Sequence, residues 1–272
     1  MRRTMIAGLL IAAAGSLMAQ QPAAAPAQPA GQAAPKTPQV KSPAEAQAVQ
    51  ALFQAQQGGP DAIIKAAEDL LTKFVDTDFK EIALFVEAQA YKAKNDNTKA
   101  QIYAERVLEV DPNNFQATLM VGEILASGAK ENDLDKEEKL GRAEKLLNQT
   151  IDILKTAPKP NPQLPDDQWA EAKKFMTAEA HNDLGLAALT RKKYDVAINE
   201  FKTANDADPQ PAYQVRLASA LQSAGKNDEA IALCDKILAD PQLHPQIKAV
   251  TQNVKQAATQ AKGKGAPAPP KQ

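Results

Sequence analysis

Imidazole and thiolate are the side chains that bind zinc and activate nucleophiles near neutral pH. This sequence of 272 residues has two histidines, His181 and His244, and one cysteine, Cys234. They fall on separate helices or turns, without the close spacing of a zinc site. His181 reads as a packed residue and Cys234 as a small buried apolar one. Acids are more numerous. Asp133, Asp135 and the run from Glu137 to Glu144 superficially follow a calcium loop. Glu138, however, stands where that loop needs glycine, and Gly141 is misplaced. These acids suit a helix start instead, with Asp133 or Asp135 as cap and carboxylates at the positive end of its dipole. There is no glycine-rich phosphate loop and no G-x-S-x-G turn. No catalytic residue, metal or cofactor is expected, and an enzyme would need a pocket of perturbed titratable groups that the sequence does not reveal.

Charge narrows the partners. The 32 basic and 33 acidic side chains give a formal net charge of −1, so nucleic acid, which calls for a basic excess, is not expected as a ligand. The opening "MRRTMIAGLLIAAAGSLMAQ" places Arg2 and Arg3 before an uncharged run from Met5 to Met18, then Ala19. This is the pattern of a secretory signal peptide over 1–19, and the apolar run is too short for a permanent span of roughly 30 Å. Its removal takes away two arginines and no acid and leaves −3. The mature chain is thus expected to be exported, periplasmic or secreted. Its lone Cys234 allows no internal disulfide.

The elements that would have to position any site are helices. Aromatics are 4% of the chain against 44% hydrophobic residues, and alanine is abundant, which favours close helix–helix packing over a sandwich. Apolar residues recur at three and four, not two. The spacing predicts helices over roughly 44–57, 60–75, 79–94, 97–110, 113–128, 135–155, 166–191, 194–207, 210–224, 227–239 and 244–261. Prolines fall between these stretches, where the missing N–H is harmless. The Ala/Pro/Gln-rich residues 20–43 and the Lys/Gly/Pro-rich residues 263–272 read as a disordered linker and a disordered tail around a domain at 44–262.

The helices repeat. Ala66, Ala100, Ala143, Ala197 and Ala230 head the second helices of successive pairs, at intervals of 34, 43, 54 and 33 residues. Ala88, Gly122, Gly185 and Ala218 are the small residues of the first helices. Asp111-Pro112 and Asp208-Pro209 end second helices. The two long intervals hold insertions, one of them the hairpin segment "AKENDLDKEEK".

On these residues the chain resembles the tetratricopeptide repeat (TPR) family. The best copy is "HNDLGLAALTRKKYDVAINEFKTANDADPQ", where Leu184-Gly185, Ala197, Phe201, Ala204 and Pro209 match the motif. Leu84, Ala88, Tyr91, Ala100 and Pro112 match in the 81–114 copy, and Leu217, Ala218 and Ala230 in the 211–241 copy. The resemblance implies an all-α fold, a right-handed α-α superhelix of about five hairpins with a C-terminal capping helix at 244–261.

It also implies a binding face. In the family, four positions of each first helix face a concave groove that holds a partner peptide. By register these are Ile82, Phe85, Gln89 and Lys92, then Gln116, Leu119, Glu123 and Ala126. They continue as Glu179, Asn182, Leu186 and Leu189, then Ala212, Val215, Ser219 and Gln222. Phe85, Leu119 and Leu186 form an apolar stripe on it, with Leu84, Val121 and Leu184 assigned to the core. The family's Lys/Asn/Arg clamp for a C-terminal carboxylate is missing. Trp169, with Ala172, Phe175 and Met176, forms a stripe that either packs on the helix at 135–155 or projects as a partner-binding ridge. The resulting expectation is a non-enzymatic interaction scaffold of the cell envelope that binds a protein or peptide. The alternative is an assembly module that forms homo-oligomers or spaces envelope components through its Pro-rich ends.

Overall fold

In the computed structural model, residues 38–263 are described, so the signal peptide, residues 20–37 of the linker and residues 264–272 of the tail lie outside them. Among the described residues there are eleven helices and no strand. They are α1 (Pro43–Ala55), α2 (Pro60–Lys73), α3 (Lys80–Ala93), α4 (Asn97–Val110), α5 (Phe115–Gly128) and α6 (Lys136–Thr156). There follow α7 (Asp166–Thr190), α8 (Tyr194–Ala207), α9 (Pro211–Ser223), α10 (Asn227–Leu238) and α11 (Pro245–Gly263).

Local chemistry sets the starts. Proline opens α1, α2 and α9, where its ring already holds the helical φ. Ser42 caps α1 by accepting from the Glu45 amide at 3.1 Å, and the buried Glu45 carboxylate accepts from the Lys41 amide at 2.5 Å. Asn114 caps α5 by accepting from the Ala117 amide at 2.9 Å.

The hairpin turns are copies of one another. The carbonyls of Tyr91, Ala188 and Leu221 accept from the amides of Asp96, Lys193 and Lys226 at 3.0, 2.9 and 2.9 Å. This five-residue closure needs one left-handed residue, supplied by Asn95 (φ 60°), Lys192 (φ 61°) and Gly225 (φ 76°).

The described residues form two compact units. The first runs to Val110 and includes Pro158–Trp169; the second comprises Asp111–Ala157 and the chain from Ala170 on. In the first, α1 to α4 pack in chain order around Val49, Leu52, Ala67, Leu70, Phe79, Ala83 and Val86. The buried small residue of α2 is Ala67, whereas Ala66 is half-buried, so the repeat position lies one residue beyond the one the sequence spacing suggests.

In the second unit the close approach is between a glycine and a large side chain. A Cβ on Gly185 would stand 2.6 Å from the Phe201 ring, and one on Gly122 would stand 2.7 Å from Leu147. Phe201 and Leu147 are fully buried and fall at the same repeat position, four residues after Ala197 and Ala143. Cys234 occupies that position in the α9–α10 hairpin and is also buried, which pushes its thiol pKa up and leaves it unreactive. The capping helix α11 packs on α9 and α10, burying Ala258 and Thr251.

Candidate functional site

The acids that resemble a calcium loop are engaged by bases. Lys139 pairs with Asp135 at 2.9 Å and with Asp133 at 3.5 Å. Asp135 takes the cap position of α6, but its side chain makes this ion pair rather than the capping hydrogen bond. Arg191, from the α7–α8 turn, donates to Glu137 at 2.7 Å and also to Glu144, and it holds the Glu137 carboxyl below its ordinary pKa. Lys192 pairs with Glu131. The insertion and the lengthened α6 are therefore tied to the next hairpin turn. His181 sits half-buried on α7, its Nδ1 2.7 Å from a Glu200 carboxylate oxygen on α8. That is the packed role its place in the repeat suggests.

The first-helix residues divide by burial. In the second unit Gln116, Leu119, Glu123, Leu186, Leu189, Ser219 and Gln222 stay partly exposed at helical spacing on α5, α7 and α9. Leu186 and Leu189 rest one side on the core of Phe201, Leu217 and Leu221. Leu189 also borders a shallow depression with Ala129, Glu131, Lys192, Tyr194 and Ser223. In the first unit Ile82, Gln89 and Lys92 are partly exposed on α3.

Five of the sequence-derived site residues belong elsewhere, among them Ala126, which is 1% exposed on α5. Phe85 is 7% exposed and is a packing residue, not part of an open stripe. Asn182 is 2% exposed because Arg216, 34 residues on, donates to its carbonyl oxygen. One turn earlier Tyr213 donates to Glu179, again 34 residues apart, so a polar seam joins α7 to α9. Val215 of α9 is 6% exposed and is likewise a packed residue. Trp169 is 5% exposed on α7, a packed side chain and not a projecting ridge, and Ala172 and Met176 of the same helix are buried as well.

A further residue stands outside the sequence-derived set. In the register of Val121, Leu184 and Leu217, the residue directly before the small one, α3 carries Glu87 and not Leu84. Leu84 lies one turn earlier and is also buried. Aligning the small residues alone exposes this acid in a hydrocarbon position.

Residues 83–114 and 176–245 match family models described as tetratricopeptide repeat. The chain carries tetratricopeptide repeats. The matched segments cover the α3–α4 hairpin and the run from the middle of α7 through α10. Among solved structures the chain is similar to a thermophilic TPR protein of Thermus thermophilus, 18% identical, over 77% of this chain and 98% of that one, with a TM-score of 0.50. It is also similar to the MamA protein, 15% identical over 74% and 96%, at 0.54. These likenesses show the fold, an all-α TPR solenoid. No curated protein matches in sequence. TPR-fold proteins generally mediate protein–protein interactions.

Proposed function

We propose that the protein is a non-enzymatic interaction scaffold of the cell envelope, exported with loss of residues 1–19, whose first-helix face holds a segment of a partner protein. One observation carries the reading. After Val121, Leu184, Leu217 and Phe201 have filled the core of the second unit, Leu119, Leu186 and Leu189 still present apolar surface. Amides at Gln116 and Gln222 flank them. Apolar anchors with amide neighbours suit a peptide whose backbone also needs hydrogen-bond partners. Among the described residues no helix is long and apolar enough to cross a membrane.

Photo-crosslinking in envelope extract tests this, with a photoreactive side chain at Gln116, Leu186 or Gln222 and exposed Lys248 as control. One protein captured from the first three sites and not from Lys248 is the expected result. Capture of the chain's own copies from those sites, with concentration-dependent sedimentation, would replace the scaffold with an oligomerising assembly module.

A further inference from the structure

The α3–α4 hairpin carries a charge where its counterparts carry hydrocarbon. Glu87 holds the register of Val121, Leu184 and Leu217, and its side chain is fully buried. Neither carboxylate oxygen completes a hydrogen bond of acceptable geometry. Beside it Tyr91 stacks on Tyr103 of α4, ring centroids 5.2 Å apart. The Lys99 ammonium stands 4.9 Å over the Tyr91 ring and the Arg106 guanidinium 5.2 Å over that of Tyr103.

The groups acting on Glu87 come from both helices packed against α3. Burial opposes its charge most strongly, and Glu68 of α2 adds to that. The Tyr103 hydroxyl, Arg106 and Lys99 of α4 favour the charged form. Burial prevails, and the carboxyl is pushed up to about 7. Burial and then Glu87 likewise raise the Tyr103 phenol, so it stays protonated and adds no second negative charge beside Glu87.

We propose that Glu87 is a pH-sensitive latch of the first unit: its protonated form closes the α3–α4 hairpin as hydrocarbon closes the others, and its ionisation loosens that hairpin. A neutral buried carboxyl costs little more than an unmade hydrogen bond. An unpaired buried carboxylate costs far more, and the helices separate to hydrate it.

The test uses the full chain. Hydrogen exchange by mass spectrometry, corrected for intrinsic rates, is followed between about pH 5 and pH 8, together with the 13C shift of the Glu87 carboxyl. Wild type should lose protection in α3 and α4 on the order of 50-fold as pH rises, with the carboxyl titrating near neutrality. Glu87→Gln and Glu87→Leu should remove that dependence, while α8 to α10 behave alike in all three proteins. A carboxyl titrating in the ordinary range, or variants that lose protection as wild type does, would overturn the latch. The shift measurement decides the matter on wild type even where a variant unfolds.

Discussion

Gly185 and Phe201 are a matched pair: the ring occupies the space where any side chain on residue 185 would begin, 2.6 Å from its Cβ position. The glycine, costly within a helix, is there because α7 and α8 approach too closely for a methyl group. Gly122 and Leu147 repeat the arrangement between α5 and α6.

Gly185→Ala should therefore destabilise by about 1–2 kcal/mol, overpacking outweighing the alanine's helix propensity. Phe201→Ala should cost about 3–5 kcal/mol. Gly185→Ala combined with Phe201→Leu should cost less than the two singly, because the smaller side chain makes room. Urea denaturation of these variants, with Phe201→Leu alone, measures this; strict additivity would show that the pair does not share the space.

The first unit should respond to pH with a sign opposite to that of the surface acids. Glu87 moves from 4.5 to about 7 on folding, so the stability it allows is complete below the unfolded value and is lost as pH rises through 7. That displacement corresponds to about 3 kcal/mol. Asp69, Asp133 and Asp166 are held below their ordinary pKa by lysine or backbone bonds, so their contribution is lost only in stronger acid. Unfolding midpoints of wild type should fall between about pH 5 and 7 and those of Glu87→Leu should not.

Lys192 holds a left-handed φ of 61° where the α9–α10 turn has Gly225. Lys192→Gly should raise stability by about 0.5 kcal/mol, relief of the Cβ clash exceeding the flexibility gained in the unfolded chain. The ion pair with Glu131 is exposed and little is lost with it. Gly225→Ala should instead cost about 1 kcal/mol. Thermal unfolding of both variants checks the contrast.

The helices are legible in the sequence because proline and Asp-Pro steps end them and because apolar spacing of three and four is unmistakable in an alanine-rich chain. The core glycines are legible too, since Gly185 and Gly122 recur at one repeat position. Burial on the first-helix face is not. Asn182 looks like a surface amide until Arg216 of the next hairpin reaches it, a contact that local periodicity cannot carry. Phe85 looks surplus only while Leu84 is given the core position that Glu87 holds. The register error and the hidden acid have one cause: a buried charge stands where the other copies have valine or leucine, and hydrophobic patterning has no signal for it.

Export predicts a cut chain. A start of Arg2 and Arg3 followed by the short apolar run to Met18 should be removed near Ala19. Intact mass measurement on protein from its native cells should lack the first nineteen residues. A full-length mass from the cytosol would end the envelope reading.

Binding, finally, should run through the first-helix face rather than through the Pro-rich ends. Leu119, Leu186 and Leu189 are half-exposed on α5 and α7, while the buried positions beside them are already filled. Changing all three to Ser should leave the helical circular dichroism and cooperative unfolding in place, with about 1 kcal/mol lost per side chain because each is only partly buried. It should abolish capture of the crosslinked partner. Gln116→Lys with Gln222→Lys should weaken capture without touching the core, separating a binding loss from a folding loss. Deleting 20–37 and 264–272 should change affinity little. If that deletion abolishes capture while the Leu variants still bind, the partner is held by the ends, and the repeats serve to space them.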